Sequence, residues 1–298
     1  MSQDKRADLL ILCTTILAAA GWIFSKQAIQ GLPPFGFIGL RFLCASLLLL
    51  PFCYRSFFQV SRKNIFKAML VGGLLGGSLL VWIYAISISD TLGEGAFIMS
   101  LSMLLVPLVS WPVFGIKPTR SFWMSLPFAL VGLVLLSLSG GWHQSASQAW
   151  FFLAAMLLAL QFNFNSHYAP RIPTLLFTCV QLFCIGIMGL FVSLFVEHWP
   201  DIIEVDIWLW FAESVVIATC LRFFLQISGQ KQTSAENAAI IMVLEPVWTM
   251  FLSMLWYGEK MPVQKILGCM LILFSLFLYS GWRKLKGLSR KKVLLNKD

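Results

Sequence analysis

One acidic residue, Glu245, lies near the middle of a long apolar stretch, residues 233–259, with Pro246 directly after it. A charged side chain in the hydrocarbon core of a membrane costs at least about 2.5 kcal/mol on insertion scales, so its presence requires a reason. A carboxyl group withdrawn from water can cycle between charged and neutral forms, which suits a proton carrier or a partner for a substrate amine. The alternative is a structural role, as the partner of Arg222 or in a hydrogen bond between helices.

A stripe of small, polar and aromatic residues on the first apolar run has the spacing of a cavity-lining helix face. Thr15, Ala19, Trp22 and Lys26 recur every three or four residues and therefore share one side of a helix. Lys26 lies within a turn of the predicted outer surface. Its ammonium therefore either faces the cavity or extends to the lipid head groups.

Further candidates for the cavity come from other runs. Trp248 and Thr249 follow Glu245 at helical spacing, so they lie near its face. Trp82 and Phe97 lie deep in runs expected to border the same space. The three aromatic side chains, with Trp22, either stack on an aromatic or aliphatic substrate or belong to ordinary core packing.

The sixth apolar run ends in an unusually polar stretch, LQFNFNSHYAP, around Asn163, Asn165 and His167. A helix that faces lipid would not carry so many polar groups, so at least one of its faces should border a wet cavity. We expect Asn163 and Asn165 to donate hydrogen bonds there. His167 is either a proton relay or a histidine satisfied at the cytoplasmic end.

Two remaining charges, Arg41 and Glu213, fall at similar depths in the outer parts of the second and eighth runs. Their depth predicts a structural ion pair rather than a contact with substrate. Metal and cofactor chemistry is not indicated, because the three histidines are far apart and no metal-binding or hydrolase motif is present. The seven cysteines, which lie in or at the ends of apolar runs, are expected to be free and to behave as small apolar residues.

Composition shows which elements must hold these residues. Hydrophobic residues make up 59% and charged residues 12% of the 298 positions, against roughly 25% charged in a soluble domain. A membrane-crossing helix needs about 20 apolar residues. The sequence therefore predicts an all-α integral membrane protein, with spans near 7–29, 34–54, 65–88, 92–115, 120–140, 148–169, 173–196, 206–229, 235–257 and 262–282.

The chain also contains a duplication. Thr91, Glu94 and Ile98 match Thr233, Glu236 and Ile240 at a constant separation, which divides the chain into repeats 7–140 and 147–282 and a basic tail, 283–298. Each Thr-x-x-Glu predicts a capping box at a helix start. Five helices per repeat force the two copies into opposite orientations, and inverted repeats are typical of secondary transporters with a substrate site between the copies.

Charge distribution gives the predicted topology. With the amino terminus in the cytoplasm, nearly all loop and tail bases fall inside, and only Lys260 and Lys265 lie outside, as the positive-inside rule requires. Both termini are then cytoplasmic in a cell inner membrane. The net charge of +9 is explained by this asymmetry and not by nucleic acid. The tail either anchors the topology or binds anionic lipid.

Several short motifs occur together with the repeat. They are Lys26, Leu32-Pro33-Pro34, Arg41-Phe42, Leu244-Glu245-Pro246 and Tyr257-Gly258-Glu259. From about residue 9 to 282 the sequence resembles the EamA family of the drug/metabolite transporter superfamily. The resemblance implies ten helices, cytoplasmic termini, a central cavity between the repeats and often export of amino acids or other small metabolites. Repeat one departs from the pattern, with Met103 where repeat two has Glu245, so the halves cannot act identically.

These features lead us to expect a secondary active transporter of a small organic solute, an amino acid or a related metabolite, that works by alternating access and exports its substrate. Protons are a candidate coupling ion. The alternatives are a polytopic membrane enzyme and a channel or structural protein. A monomer is compatible with the sequence, which does not specify the oligomeric state.

Overall fold

A computed structural model describes residues 3–88, 92–137, 146–257 and 262–295. Within these ranges the regular structure is helical, and ten spans are long and apolar enough to cross a membrane. The α-helices are α1 (Gln3–Ala28), α2 (Pro34–Gln59), α3 (Arg62–Ser87), α4 (Leu92–Phe114), α5 (Arg120–Ser137), α6 (Ser147–Tyr168), α7 (Thr174–Val196), α8 (Val205–Val215), α9 (Arg222–Gln230), α10 (Ala235–Met242), α11 (Glu245–Tyr257) and α12 (Val263–Leu295).

The boundaries follow local sequence signals. Proline begins α2, where its missing N–H is not needed and its fixed φ suits the first turn. Helices are the expected structure for single apolar runs because each satisfies its own backbone groups away from water. The last helix, α12, continues past the predicted end of its span through Leu295, so the described part of the predicted tail, 283–298, extends this helix.

Two of the ten spans are interrupted, where the sequence predicted continuous helices at 206–229 and 235–257. The eighth span consists of α8, a π-helical segment (Val216–Leu221) and α9. The ninth breaks at Val243 and Leu244 between α10 and α11. Pro246, in the first turn of α11, has no N–H to offer the preceding turn, which accounts for a break at this point. Both interruptions lie near the middle of their spans.

The helices of the two predicted repeats interlock. The second helices, α2 and α7, form the most extensive contact, and the fifth helices, α5 and α12, form the next. The contacts between first and third helices are also matched. The third helix of repeat one, α3, packs on the first helix of repeat two, α6, and the first helix of repeat one, α1, packs on the third span of repeat two, α8 to α9. This reciprocity is the pattern that a twofold relation between repeats would produce. The opposite orientation of the repeats across the membrane stays a prediction.

Glycine allows the closest of these contacts. A Cβ on Gly39 would lie 2.4 Å from the backbone nitrogen of Leu190, and one on Gly189 would lie 2.8 Å from Gly39. In α3, a Cβ on Gly72 or Gly76 would clash with α7, whereas Gly73 has nothing within 4 Å. One of the two overlapping Gly-x-x-x-Gly pairs in α3 therefore packs against another helix.

The outward surface is apolar, with large side chains such as Phe191, Leu194 and Phe277 exposed. Polar residues, including Gln161, Asn163 and Arg41, are buried instead. An apolar exterior around a partly polar interior, on ten membrane-length helices, describes a multi-pass membrane protein.

Candidate functional site

Glu245 is the first residue of α11, at the break in the ninth span. One carboxylate oxygen accepts a hydrogen bond of 3.1 Å from the indole Nε1 of Trp22 in α1. The other lies 3.8 Å from an Nη atom of Arg222, the first residue of α9. The central acid therefore joins α1, α9 and α11, and it lies at the start of a helix, where an acidic group interacts favourably with the helix dipole.

The hydrogen-bonding capacity of the Arg222 guanidinium is only partly used in this arrangement. Its separation of 3.8 Å from Glu245 is within ion-pair range but too long for a hydrogen bond. Its Nε is buried and has no hydrogen-bond partner, while its guanidinium lies 4.9 Å from the centre of the Phe223 ring. The side chains of Arg222 and Glu245 are 23% and 24% exposed, so both charges remain accessible to a small solute.

Aromatic rings border the same region. Trp22, which is 48% exposed, meets Trp82 of α3 edge to face with ring centres 5.9 Å apart. Trp210 of α8 contacts Phe24 and Trp256 with ring centres 6.2 and 5.7 Å apart. Of these rings, Trp22 and Trp82 provide apolar surface beside Glu245, whereas Trp210 and Trp256 lie several turns away along their helices from Arg222 and Glu245.

Lys26 is exposed one turn after Trp22 on α1. The i, i+4 spacing places both on one helix face. Phe97, Trp248 and Thr249 are less accessible. The two aromatic rings pack against buried apolar clusters, and the Thr249 hydroxyl donates to the Glu245 carbonyl at 3.0 Å.

The predicted ion pair between Arg41 and Glu213 is not formed. Arg41 is only 8% exposed, and its guanidinium donates to Thr219 Oγ1, Ser25 Oγ and the carbonyl of Ala218 at 2.5, 2.8 and 3.1 Å. Glu213 lies on an exposed face of α8. Similar depth in two helices does not place two side chains on facing sides, which is why the prediction was wrong.

The amide donors of Asn163 and Asn165 are engaged by other protein groups, although Asn163 also borders the cavity described below. The amide of Asn163 donates to the carbonyls of Val106 and Ala159 at 2.8 and 3.0 Å. Asn165 donates to Gln230 of α9 and accepts from Gln181 of α7 at 3.0 Å. Both asparagines are buried, so this polar stretch holds α6 against α4, α7 and α9 instead.

His167 is exposed and stacks on Phe114 with ring centres 4.8 Å apart. It borders a cavity of about 260 Å³ at the predicted cytoplasmic ends of α4, α6 and α10, together with Asn163 and Ser166. The residues that line this cavity lie near the ends of their spans, whereas Glu245 and Arg222 lie near the middle of theirs. The structure therefore places the two predicted coupling residues at different depths.

Glu236 also borders this cavity, and it does not form the predicted capping box with Thr233. The cap of α10 is Ser234, whose hydroxyl accepts from the Asn237 N–H. Glu236 instead accepts from the backbone and hydroxyl of Thr119 at 2.9 and 2.6 Å and from Tyr279 at 2.9 Å. Glu236 thus links α10 both to the residue before α5 and to the middle of α12. The matching box at Thr91 and Glu94, and the Gly258-Glu259 motif, lie outside the described residues.

Among the described residues, no three His, Cys, Asp or Glu side chains are grouped so that they could hold a metal ion. The sequence did not single out Ser25, Thr219 or Gln230, which hold Arg41 and Asn165. The available signal was that each is a polar residue within an apolar run. Arg222 was predicted only as an alternative partner for Glu245, and the structure places it beside the acid.

A family model for EamA-like transporters matches the chain twice, over residues 5–138 and 146–281. The chain belongs to the EamA-like transporter family. An uncharacterized transporter of Archaeoglobus fulgidus is 24% identical over 275 residues, which cover 92% of this chain and 85% of that protein. The uncharacterized transporter YvbV of Bacillus subtilis is 25% identical over 284 residues, with 92% and 91% covered. This EamA-like chain is therefore a membrane transporter.

The fold of this chain is also found in a solved crystal structure. That structure matches with a TM-score of 0.80 over 94% of this chain and 98% of its own, at 18% sequence identity. The similarity concerns the fold alone. It agrees with an all-helical arrangement of ten spans.

Proposed function

We propose that this EamA-like protein is a secondary active transporter that exports a small organic solute, an amino acid or a related metabolite, by alternating access. The central cavity lies between the repeats in this proposal. The observation that carries it is the position of Glu245 and Arg222, which meet where two spans are interrupted. Interrupted helices with charged groups near mid-span are a recurring form of substrate site in secondary transporters.

The chemistry of the cluster supports an amino acid as substrate. Arg222 has a buried Nε without an acceptor and only a long contact with Glu245, so a carboxylate could bind it with better geometry. Glu245, released from that contact, would be available to an ammonium group. Trp22 and Trp82 supply apolar surface for a side chain. A zwitterion of modest size therefore matches the groups that are present.

Coupling to protons follows from the same pair. If Glu245 takes up a proton as the substrate ammonium leaves it, the central cavity avoids holding an unpaired carboxylate. Release of that proton on the cytoplasmic side, where the next substrate binds, would exchange one proton for one solute. His167, exposed beside the cavity at the predicted cytoplasmic end, is a second proton acceptor in this proposal. No metal, cofactor or bond-breaking step is required, so the protein acts as a transporter and not as an enzyme.

The test is flux in liposomes that contain the purified protein. Tritiated L-phenylalanine, L-threonine, L-lysine and L-glutamate would be assayed separately for saturable release, with empty liposomes as the background. The Ser46→Ala variant is a matched control, because Ser46 bonds the Cys179 carbonyl in the contact between α2 and α7 and is remote from Glu245 in the chain. Saturable flux of at least one amino acid is expected for both proteins. Linear, unsaturable flux of every solute would contradict the proposal.

A further inference from the structure

Arg41 is a buried cation for which the function proposed above has no role. It is 8% exposed in the first third of α2, and its described hydrogen-bond partners are neutral: Thr219, Ser25 and the Ala218 carbonyl. Its guanidinium also lies 5.6 Å from the ring centres of Phe37 and Phe42. An ionisable group within a membrane span is costly and usually has a functional reason.

The partners of Arg41 lie on α1, which contacts Glu245, and on the segment directly before Arg222. Ser25 follows Trp22 by one turn in α1, and Trp22 donates to Glu245. Ala218 and Thr219 belong to the π-helical segment that ends directly before Arg222. The Arg41 side chain therefore connects α1, which carries Trp22, to the π-helical segment, which precedes Arg222.

The π-helical segment needs such a tie. A π-helix is rare, and its wider turn changes the direction in which every later side chain points. Here the Thr219 hydroxyl donates to the Ser214 carbonyl at 2.9 Å and accepts from Arg41 Nε. Arg41 thus stabilises the segment from the α2 side and fixes the direction in which Arg222 leaves it.

Close packing acts in the same direction. A Cβ on Gly21, the residue before Trp22, would lie 2.8 Å from the Cβ of Ala218 and 3.6 Å from an Nη atom of Arg41. The first helix therefore rests directly on the π-helical segment, with the Arg41 guanidinium beside the contact.

We propose that Arg41 is a positioning residue for the central cluster. It holds α1 and the π-helical segment in register, so that Trp22 and Arg222 meet Glu245 at the same time. The inference goes beyond the proposed function and does not depend on it, because it concerns the assembly of the cluster and not the solute that the cluster binds. A purely structural role for Arg41 would affect stability without a specific effect on the Trp22 to Glu245 bond.

The Trp22 to Glu245 bond can be observed without any solute. Tryptophan labelled with ¹⁵N at Nε1 gives one indole N–H resonance per tryptophan in an NMR spectrum of the full-length protein in nanodiscs. Trp22→Phe identifies the Trp22 resonance, and Glu245→Gln gives its position when the charged acceptor is gone. In Arg41→Met we expect the Trp22 resonance to move toward the Glu245→Gln position.

Ser46→Ala is the matched control, since it removes a buried hydrogen bond of the same helix that does not involve the π-helical segment. It should leave the Trp22 resonance in place even if it lowers stability. Thr219→Val provides a second test that keeps the charge of Arg41 and removes its Nε acceptor, together with the bond from the Thr219 hydroxyl to the Ser214 carbonyl. It decides the matter if Arg41→Met does not fold. An unchanged Trp22 resonance in the folded variants would overturn the proposal, whatever the flux measurements give.

Discussion

The indole Nε1 of Trp22 donates a hydrogen bond of 3.1 Å to the carboxylate of Glu245, across 223 positions of the chain. This bond links the first span to the ninth and so joins the two repeats at their centre. Trp22 is also half exposed, so the ring that holds the acid is itself accessible. Any change in the charge of Glu245 will alter this contact between the repeats.

Replacement of Trp22 by Phe should weaken transport without unfolding the protein. Phe keeps an aromatic ring against Trp82 but lacks the N–H that Glu245 accepts. Loss of a hydrogen bond to a charged group is expected to lower kcat/KM by about tenfold, or about 1.4 kcal/mol. The liposome assay measures this with the amino acid that gives saturable flux. Phe24→Leu, which changes a neighbouring ring of α1 without touching Glu245, serves as the control, and equal losses in both variants would contradict the specific role.

Arg222 and Glu245 should behave as a coupled pair. Arg222→Met leaves a partly buried acid without its cation, and Glu245→Gln leaves the cation without its acid, so each should lower the apparent Tm. The double variant should be less destabilised than the sum of the two, with a coupling of about 1 kcal/mol. Thermal unfolding of the wild type, the two single variants and the double variant in one detergent completes this double-mutant cycle. Additive effects would show that the 3.8 Å separation contributes no interaction.

The contact between α2 and α7 predicts a sharp difference between two glycines. Gly39→Ala places a Cβ 2.4 Å from Leu190 N, and the resulting strain should cost about 1–3 kcal/mol. Gly73→Ala meets nothing within 4 Å and gains helix propensity, so it should be neutral or stabilising. Apparent Tm values of the two variants provide the comparison. Similar values would mean that these helices do not approach as closely as described.

Glu236 is expected to stabilise the predicted cytoplasmic end through its bonds to Thr119 and Tyr279. Tyr279→Phe removes one of these and should lower stability by about 1 kcal/mol, a fall in Tm of about 2–4 °C. Glu236→Gln weakens all of them and should have a larger effect. Tyr54→Phe is the control, because Tyr54 is exposed near the end of α2 and its described bond is to the adjacent Arg55. A larger fall for Tyr54→Phe than for Tyr279→Phe would contradict this role.

Much of the fold could be predicted because apolar runs of membrane length leave few alternatives to a helix. Every one of the ten predicted spans corresponds to a helical span in the structure. The interruptions were harder to predict. Pro246 signalled the break before α11, but nothing in the local sequence around Val216 distinguishes a π-helix from an α-helix.

The site was predicted less completely, since hydropathy gives the depth of a residue but not the direction of its side chain. Glu245 and Trp22 were both expected at the cavity, and the structure brings them into contact. Arg41 and Glu213 were paired on depth alone, and that pairing was wrong. The partner of Asn165 is Gln230, from a distant helix, and such a pair depends on packing that no short stretch of sequence encodes.

The role proposed for Glu245, coupling of solute movement to protons, can be measured in liposomes. Liposomes that contain wild-type protein or Glu245→Gln are loaded with the tritiated amino acid that gives saturable flux, and efflux is measured with and without an imposed proton gradient. Glu213→Gln, which alters an exposed acid of α8, is the matched control. We expect the gradient to accelerate efflux through the wild type and Glu213→Gln but not through Glu245→Gln, which still binds the amino acid. An equal response to the gradient in Glu245→Gln would contradict this role.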